Sequence, residues 1–188
     1  MNHISQDIER ILIDGETITK RTKELAAEIM ADYADSDRRL LLISILKGSV
    51  MFTAELMKQL DIDCDIDFMK VSSYGCGTKS TLALNILLDL KQQDLTNVDI
   101  IIVEDIIDSG NTLSHLTNML RCRGAGSVKI CTLLDKPSRR IVDLKPDYCG
   151  FEVPDCFVVG YGLDYAEKYR NLPYIGVLKP EIYLGEQD

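Results

Sequence analysis

The sequence predicts an α/β fold, a mostly parallel twisted sheet flanked by helices. Two patterns carry that prediction. Short continuous apolar runs, as expected of strands buried on both faces, alternate with stretches whose apolar residues recur at helical spacing. A length of 188 residues, with 46% hydrophobic and 27% charged residues, suits one compact domain with its own core.

From Thr17 to Tyr33, residues Ile18, Leu25, Ile29 and Tyr33 share one helical face, which predicts a first amphipathic helix. Leu40 to Leu46 is a short apolar run ending at Lys47-Gly48 and reads as a buried strand. Val50 to Leu60 reads as a helix with Val50, Ala54 and Met57 on one face. Ile66 to Val71 reads as a strand, and the polar stretch from Ser72 to Thr81 as a loop. Ile100 to Val103 is the strongest buried-strand signal. After the turn at Asp108-Ser109-Gly110, Leu113, Leu116 and Leu120 form a helical stripe. Further strands are expected at Val128 to Leu134, Phe157 to Gly160 and Tyr174 to Val177. Alternation of this kind implies a parallel sheet covered on both faces, with ligands beyond the carboxyl ends of the strands. The loops after Leu46, Val103 and Leu134 are therefore where a site is expected.

Composition removes several function classes. No apolar run approaches the roughly 18 residues of a membrane span, and the first residues lack the basic-then-apolar pattern of a signal peptide. Six cysteines, Cys64, Cys76, Cys122, Cys131, Cys149 and Cys156, form no C-x-x-C pair, and several lie in apolar runs. Free thiols in a reducing cytoplasm are the expectation. A net charge of -9 argues against a nucleic-acid partner. With only His3 and His115, neither a Ser-His-Asp triad nor a histidine-rich zinc site is expected. Gly75-Cys76-Gly77-Thr78-Lys79-Ser80 has neither the spacing of a P-loop nor the third glycine of a dinucleotide fingerprint.

The most informative stretch runs from Ile100 to Thr112. A buried strand leads into Glu104 and Asp105, then Asp108, then Ser109-Gly110-Asn111-Thr112 at the start of a helix. Hydroxyls and orphan backbone amides at a helix N-terminus suit a monophosphate. Two adjacent carboxylates suit ribose hydroxyls or a hard cation. Asp108 alone would also suit a helix cap.

This segment resembles the phosphoribosyl pyrophosphate motif of the type I phosphoribosyltransferases, and of the bacterial hypoxanthine phosphoribosyltransferases among them. Four further blocks follow the family's order: Leu46-Lys47-Gly48-Ser49 resembles its pyrophosphate loop, and Ser72-Ser73-Tyr74-Gly75 the start of its closing lid. Cys131 to Arg140 resembles its purine-side segment, and Phe157 to Arg170 its hood. The resemblance implies one domain over residues 1–188, with a small hood over the active site formed from N-terminal and C-terminal segments. It implies that phosphoribosyl pyrophosphate is bound by Glu104, Asp105, Asp108, Ser109, Gly110, Asn111 and Thr112, with Lys47, Gly48 and Arg170 on pyrophosphate. Asp108 would be the general base. Lys136, Phe157, Val158 and Asp164 would meet the purine, and Ser73 and Tyr74 would belong to the lid. Mg²⁺ would be held by Glu104 and Asp105 near the ribose, with a second metal reached by Asp164, because an acidic protein cannot neutralise a departing pyrophosphate with its bulk field.

The implied reaction is purine salvage: transfer of the phosphoribosyl group to hypoxanthine, and less well to guanine, in a cytoplasmic homodimer or homotetramer. Lys136 disfavours adenine, whose amino group donates where Lys136 also donates. Rival readings are a guanine- or xanthine-preferring enzyme and a regulator that senses phosphoribosyl pyrophosphate on the same fold. The latter should carry a basic face, against the pI of about 4.7. A receiver-type signalling domain is disfavoured by the Ser109–Thr112 turn and the hood block.

Overall fold

The computed structural model describes residues 4–73 and 84–185. In chain order its elements are β1 (Ile8–Ile13), α1 (Gly15–Tyr33), β2 (Arg39–Ile45), α2 (Val50–Gln59), β3 (Asp65–Ser73) and β4 (Leu84–Leu88). They continue with β5 (Val98–Ile107), α3 (Asn111–Cys122), β6 (Ser127–Asp135), β7 (Tyr148–Glu152), β8 (Val158–Val159), β9 (Ile175–Leu178) and α4 (Pro180–Leu184). Six strands form the main sheet in the order β4-β3-β2-β5-β6-β7. All its pairings are parallel except β3 with β4. A second sheet, β1-β9-β8, is antiparallel and joins the N-terminal strand to two C-terminal ones.

The central strands are apolar on both faces because both faces are covered. One face packs with α1 and α2 in a core containing Ile18, Leu25, Leu42, Phe52, Ile101 and Val103. The other packs with α3 around Ile43, Ile100, Ile102, Leu116 and Leu120. Such a sheet leaves no polar face, so the strands read as runs rather than alternations. α1 starts where Asp14 caps it, its carboxylate accepting from the Thr17 amide at 2.8 Å.

Packing decides the rotation of α2, and two expectations need correction. α2 turns Phe52, Thr53 and Leu56 inward, whereas Val50 and Ala54 lie outside and Met57 is half-buried. The helix is apolar on most sides, so its stripe does not determine its rotation. Packing does: Phe52 is fully buried, and the Thr53 hydroxyl donates to Ser44 Oγ at 2.9 Å. The first correction concerns β5, which runs on through Glu104, Asp105 and Ile106 to Ile107. Its pairing to β6 continues as far as Ile107 with Asp135, although its pairing to β2 stops at Val103. The carboxylates therefore lie inside a strand whose β2 side is open. Ser72 and Ser73 extend β3 instead of beginning a loop, while Tyr74 and Cys76 lie outside the described residues.

Candidate active site

Where β5 loses its β2 neighbour, the turn after β2 fills part of the gap. The Leu46–Lys47 peptide bond is cis. Gly48 sits so close to β5 that a Cβ there would overlap the Asp105 carboxylate, and a Cβ on Gly162 would overlap the Gly48 carbonyl. Only hydrogen at both positions lets β5, the β2 turn and the 160–170 segment close on one another. Gly162 also has φ +103°, a region that side chains disfavour.

The space left open is a hollow of about 440 Å³. Glu104, Asp105, Asp108 and Asp164 bring four carboxylates to it, and Lys47 and Arg170 two cations. Ser109, Gly110 and Thr112 line its floor at the start of α3. Gly110 is the N-cap, at φ +82°, and its carbonyl accepts from the Ser114 amide at 2.9 Å. Asn111 is not on the lining, although its amide donates to Ser109 Oγ at 3.4 Å.

Both cations are held by carboxylates of one segment. Lys47 Nζ donates to Glu167 Oε2 at 2.8 Å, and Arg170 reaches Asp164 at 2.8 Å and Glu167 at 3.4 Å. Arg170 also donates to the Gly162 carbonyl at 2.8 Å, which ties the guanidinium to the glycine abutting Gly48.

Glu104 and Asp105 show part of their surface, yet Glu104 Oε2 is sealed from solvent and has no hydrogen-bond partner among the described residues. Burial, and then the neighbouring Asp105 charge, hold the Glu104 carboxyl well above the usual carboxylate range. Burial also raises Asp105, to about 6, against an opposing hydrogen bond from the Ile106 amide. An orphaned carboxylate oxygen beside a second raised carboxyl is a fitting donor set for a hard cation. Among the described residues no cluster of three or more His, Cys, Asp or Glu could hold a metal by itself. A cation here would share its shell with substrate oxygens, as Mg²⁺ commonly does.

A second hollow, of about 330 Å³, adjoins the first and shares Ile106, Asp108 and Asp164 with it. Lys136, Phe157 and Val158 line it. Lys136 is only 5% exposed, and its Nζ donates to the Cys156 carbonyl at 2.8 Å while standing 3.9 Å from both Asp108 and Asp155. Phe157 precedes β8 and is 37% exposed, so it is a wall of the hollow and not part of the core. The two hollows thus meet at two carboxylates, Asp108 and Asp164. One is built of cations, carboxylates and helix-start amides, the other of an aromatic face and a buried ammonium.

A family model for the phosphoribosyl transferase domain matches residues 11–166. The chain belongs to the phosphoribosyltransferase family.

This phosphoribosyltransferase is 55% identical over 180 residues to the hypoxanthine-guanine phosphoribosyltransferase of Bacillus subtilis, covering 96% of this chain and 98% of that one. It is 51% identical to the protein of that name from Streptococcus mutans, with the same coverage. Among solved structures, a hypoxanthine phosphoribosyltransferase from Staphylococcus aureus matches with a TM-score of 0.90 at 48% identity, covering 97% of this chain and 98% of that one. The α/β fold with its mostly parallel sheet is as the sequence predicts.

Of the residues named from the sequence, Lys47, Gly48, Glu104, Asp105, Asp108, Ser109, Gly110, Thr112, Asp164 and Arg170 come together around the first hollow. Lys136, Phe157 and Val158 gather at the second, which Asp108 and Asp164 also border. Ser73 ends β3, and Tyr74 lies outside the described residues. Sequence reasoning missed Ile106, Gly162, Glu167 and Tyr183. Ile106 lies within the acidic motif and Gly162 and Glu167 within the hood block, so a local signal existed for those three. Nothing local marks Tyr183.

Proposed function

We propose that this phosphoribosyltransferase carries the 5-phosphoribosyl group from phosphoribosyl pyrophosphate to hypoxanthine, and less well to guanine, releasing pyrophosphate. The observation that carries the reading is the pair of adjoining hollows sharing Asp108. Such an arrangement lets one carboxylate face a sugar on one side and a purine on the other.

Ser109, Gly110, Asn111 and Thr112 would take the 5′-phosphate on amides and hydroxyls at the α3 start. Lys47, the Gly48 backbone and Arg170 would take pyrophosphate, which exchanges the Glu167 carboxylate for a more highly charged anion. Glu104, Asp105 and Asp164 would hold Mg²⁺ together with substrate oxygens. When bound, that ion neutralises charge building on the leaving pyrophosphate. Lys136 would donate to the purine's exocyclic oxygen, Phe157 would stack on its ring and the Val158 backbone would meet its edge. Asp108 would hold the purine proton as the sugar, carrying positive charge in the transition state, meets the base. Ser73 and Tyr74 would close over the reacting centre and exclude water.

The one-domain reading over residues 1–188 is supported by two cores on a single main sheet. The hood would be the β1-β9-β8 sheet with the 160–170 segment, a reading supported by the pairing of N-terminal β1 with C-terminal β9. Exposed Val50 and Met51 on α2 supply an apolar face suited to a homodimer or homotetramer. Five described cysteines are free, which suits the cytoplasm. Among the described residues no helix is long and apolar enough to cross a membrane.

The test is a product assay with phosphoribosyl pyrophosphate, Mg²⁺ and each base in turn. Nucleotide from hypoxanthine and guanine but not adenine is expected. If guanine leads by about tenfold in kcat/KM, a gap of roughly 1.4 kcal/mol, the base preference is wrong and the reaction class stands. Turnover of adenine alone would remove the role given to Lys136.

A further inference from the structure

Phe157 is exposed enough to turn, yet aromatic neighbours hold it. The Tyr183 ring lies against it nearly parallel, with centroids 4.8 Å apart and planes at 21°. Tyr165 meets it edge-on, at 5.5 Å and 88°. Tyr183 is contributed by α4, and it lines the same hollow as Phe157 and Lys136.

The anchoring of α4 is specific. The Lys179 amide donates to the Asp7 carbonyl at 3.0 Å, and the Asp7 carboxylate accepts from the Tyr169 hydroxyl at 2.8 Å. Ile182 and Tyr183 pack on a third core cluster of Val159, Tyr169, Leu172 and Leu178. The C-terminal helix, the N-terminal segment and the 160–170 segment are thereby tied together directly beside the Phe157 ring. Stacked aromatic pairs contribute beyond their buried area. A ring already held by a stacked neighbour gives up its freedom on folding and not on ligand binding, which strengthens binding.

We propose that Tyr183 is a positioning residue for the purine. It holds the Phe157 ring in the attitude in which that ring stacks on the base, and it closes the purine hollow from the C-terminal helix. The proposal rests on the reading of the second hollow as the purine site.

The test compares full-length wild type with Tyr183→Ala and Tyr183→Phe, measuring KM for hypoxanthine, KM for phosphoribosyl pyrophosphate, kcat and Tm. Tyr183→Ala is expected to raise KM for hypoxanthine by about three- to tenfold, the range of one aromatic pair. KM for phosphoribosyl pyrophosphate and kcat should stay within about twofold, because the first hollow does not include Tyr183. Tyr183→Phe should restore the purine KM, since the ring and not the hydroxyl makes the contact. An unchanged purine KM in Tyr183→Ala overturns the proposal. So does a parallel rise of both KM values with a lowered Tm, which would make α4 a structural brace only. If wild type turns over no purine, the underlying reading of the site fails instead.

Discussion

Lys136 shows how much one side chain can reveal. A buried ammonium is costly unless its protons are used, and here one goes to the Cys156 carbonyl while Asp108 and Asp155 stand 3.9 Å away. That leaves donor capacity directed into the hollow. Lys136→Gln is expected to lower kcat/KM for hypoxanthine and guanine together by ~1–3 kcal/mol, the cost of a lost charged hydrogen bond. Loss for one base alone would assign Lys136 another role. Asp108 is the companion case, with its side chain 49% exposed at the junction of the hollows. Asp108→Asn keeps the size but cannot accept a proton. Its kcat should fall by ~10²-fold or more, with KM for phosphoribosyl pyrophosphate little changed. A near-normal kcat would mean that the base lies elsewhere. Gly48 matters through what it lacks. Gly48→Ala must push the Asp105 carboxylate aside, so it should raise KM for phosphoribosyl pyrophosphate by about tenfold while far-UV circular dichroism stays native.

Among the elements, β5 carries most of the chemistry because its two edges end at different residues. Paired to β6 but not to β2 beyond Val103, it delivers Glu104 and Asp105 to a place where neither can be solvated fully. Both carboxyls are raised in the folded chain, Asp105 to about 6. A group raised by folding adds stability below its unfolded value and loses that contribution as pH rises through the folded value. Carboxylates lowered by folding, such as Asp32 beside Lys129 and Asp89 beside Arg123, act in the opposite sense, and only at more acid pH. Acidifying the chelator-treated protein from pH 7.5 to 5 is therefore expected to raise Tm, by roughly 2–4 °C for each kcal/mol gained. The Glu104→Gln, Asp105→Asn double variant should flatten that rise. A wild-type Tm that falls steadily over this range would remove the account of the pair.

At the scale of the molecule, charge sets the terms. A chain of net charge -9 gathers four carboxylates around a hollow proposed to take a polyanion, with Lys47 and Arg170 already paired internally. Excess chelator should abolish turnover, and Mg²⁺ should restore it; full activity in chelator would sink the proposed division of labour. Rigidity is the other global property. Three core clusters, one on each face of the main sheet and one at the small sheet, hold elements distant in sequence around the two hollows.

What the sequence determined by itself was the contiguous part. The apolar run of β5, the acidic pair, the turn and the α3 stripe succeed one another along the chain, so local pattern suffices to read them. The same holds for β2 with its Lys47-Gly48 turn, and for the segment containing Lys136. β1, β4 and β7 escaped because each shows at most one fully buried residue, and the apolar runs Ile11 to Ile13 and Ile86 to Leu88 are only three residues long. Only the tertiary structure decided which face of α2 turns inward, that β5 continues through its carboxylates, that Glu167 holds Lys47 and that Tyr183 lies on Phe157. Each of these depends on contacts between residues far apart in the chain, whose energies no local spacing encodes. The sequence thus specified which groups are present, and packing determined which of them face one another.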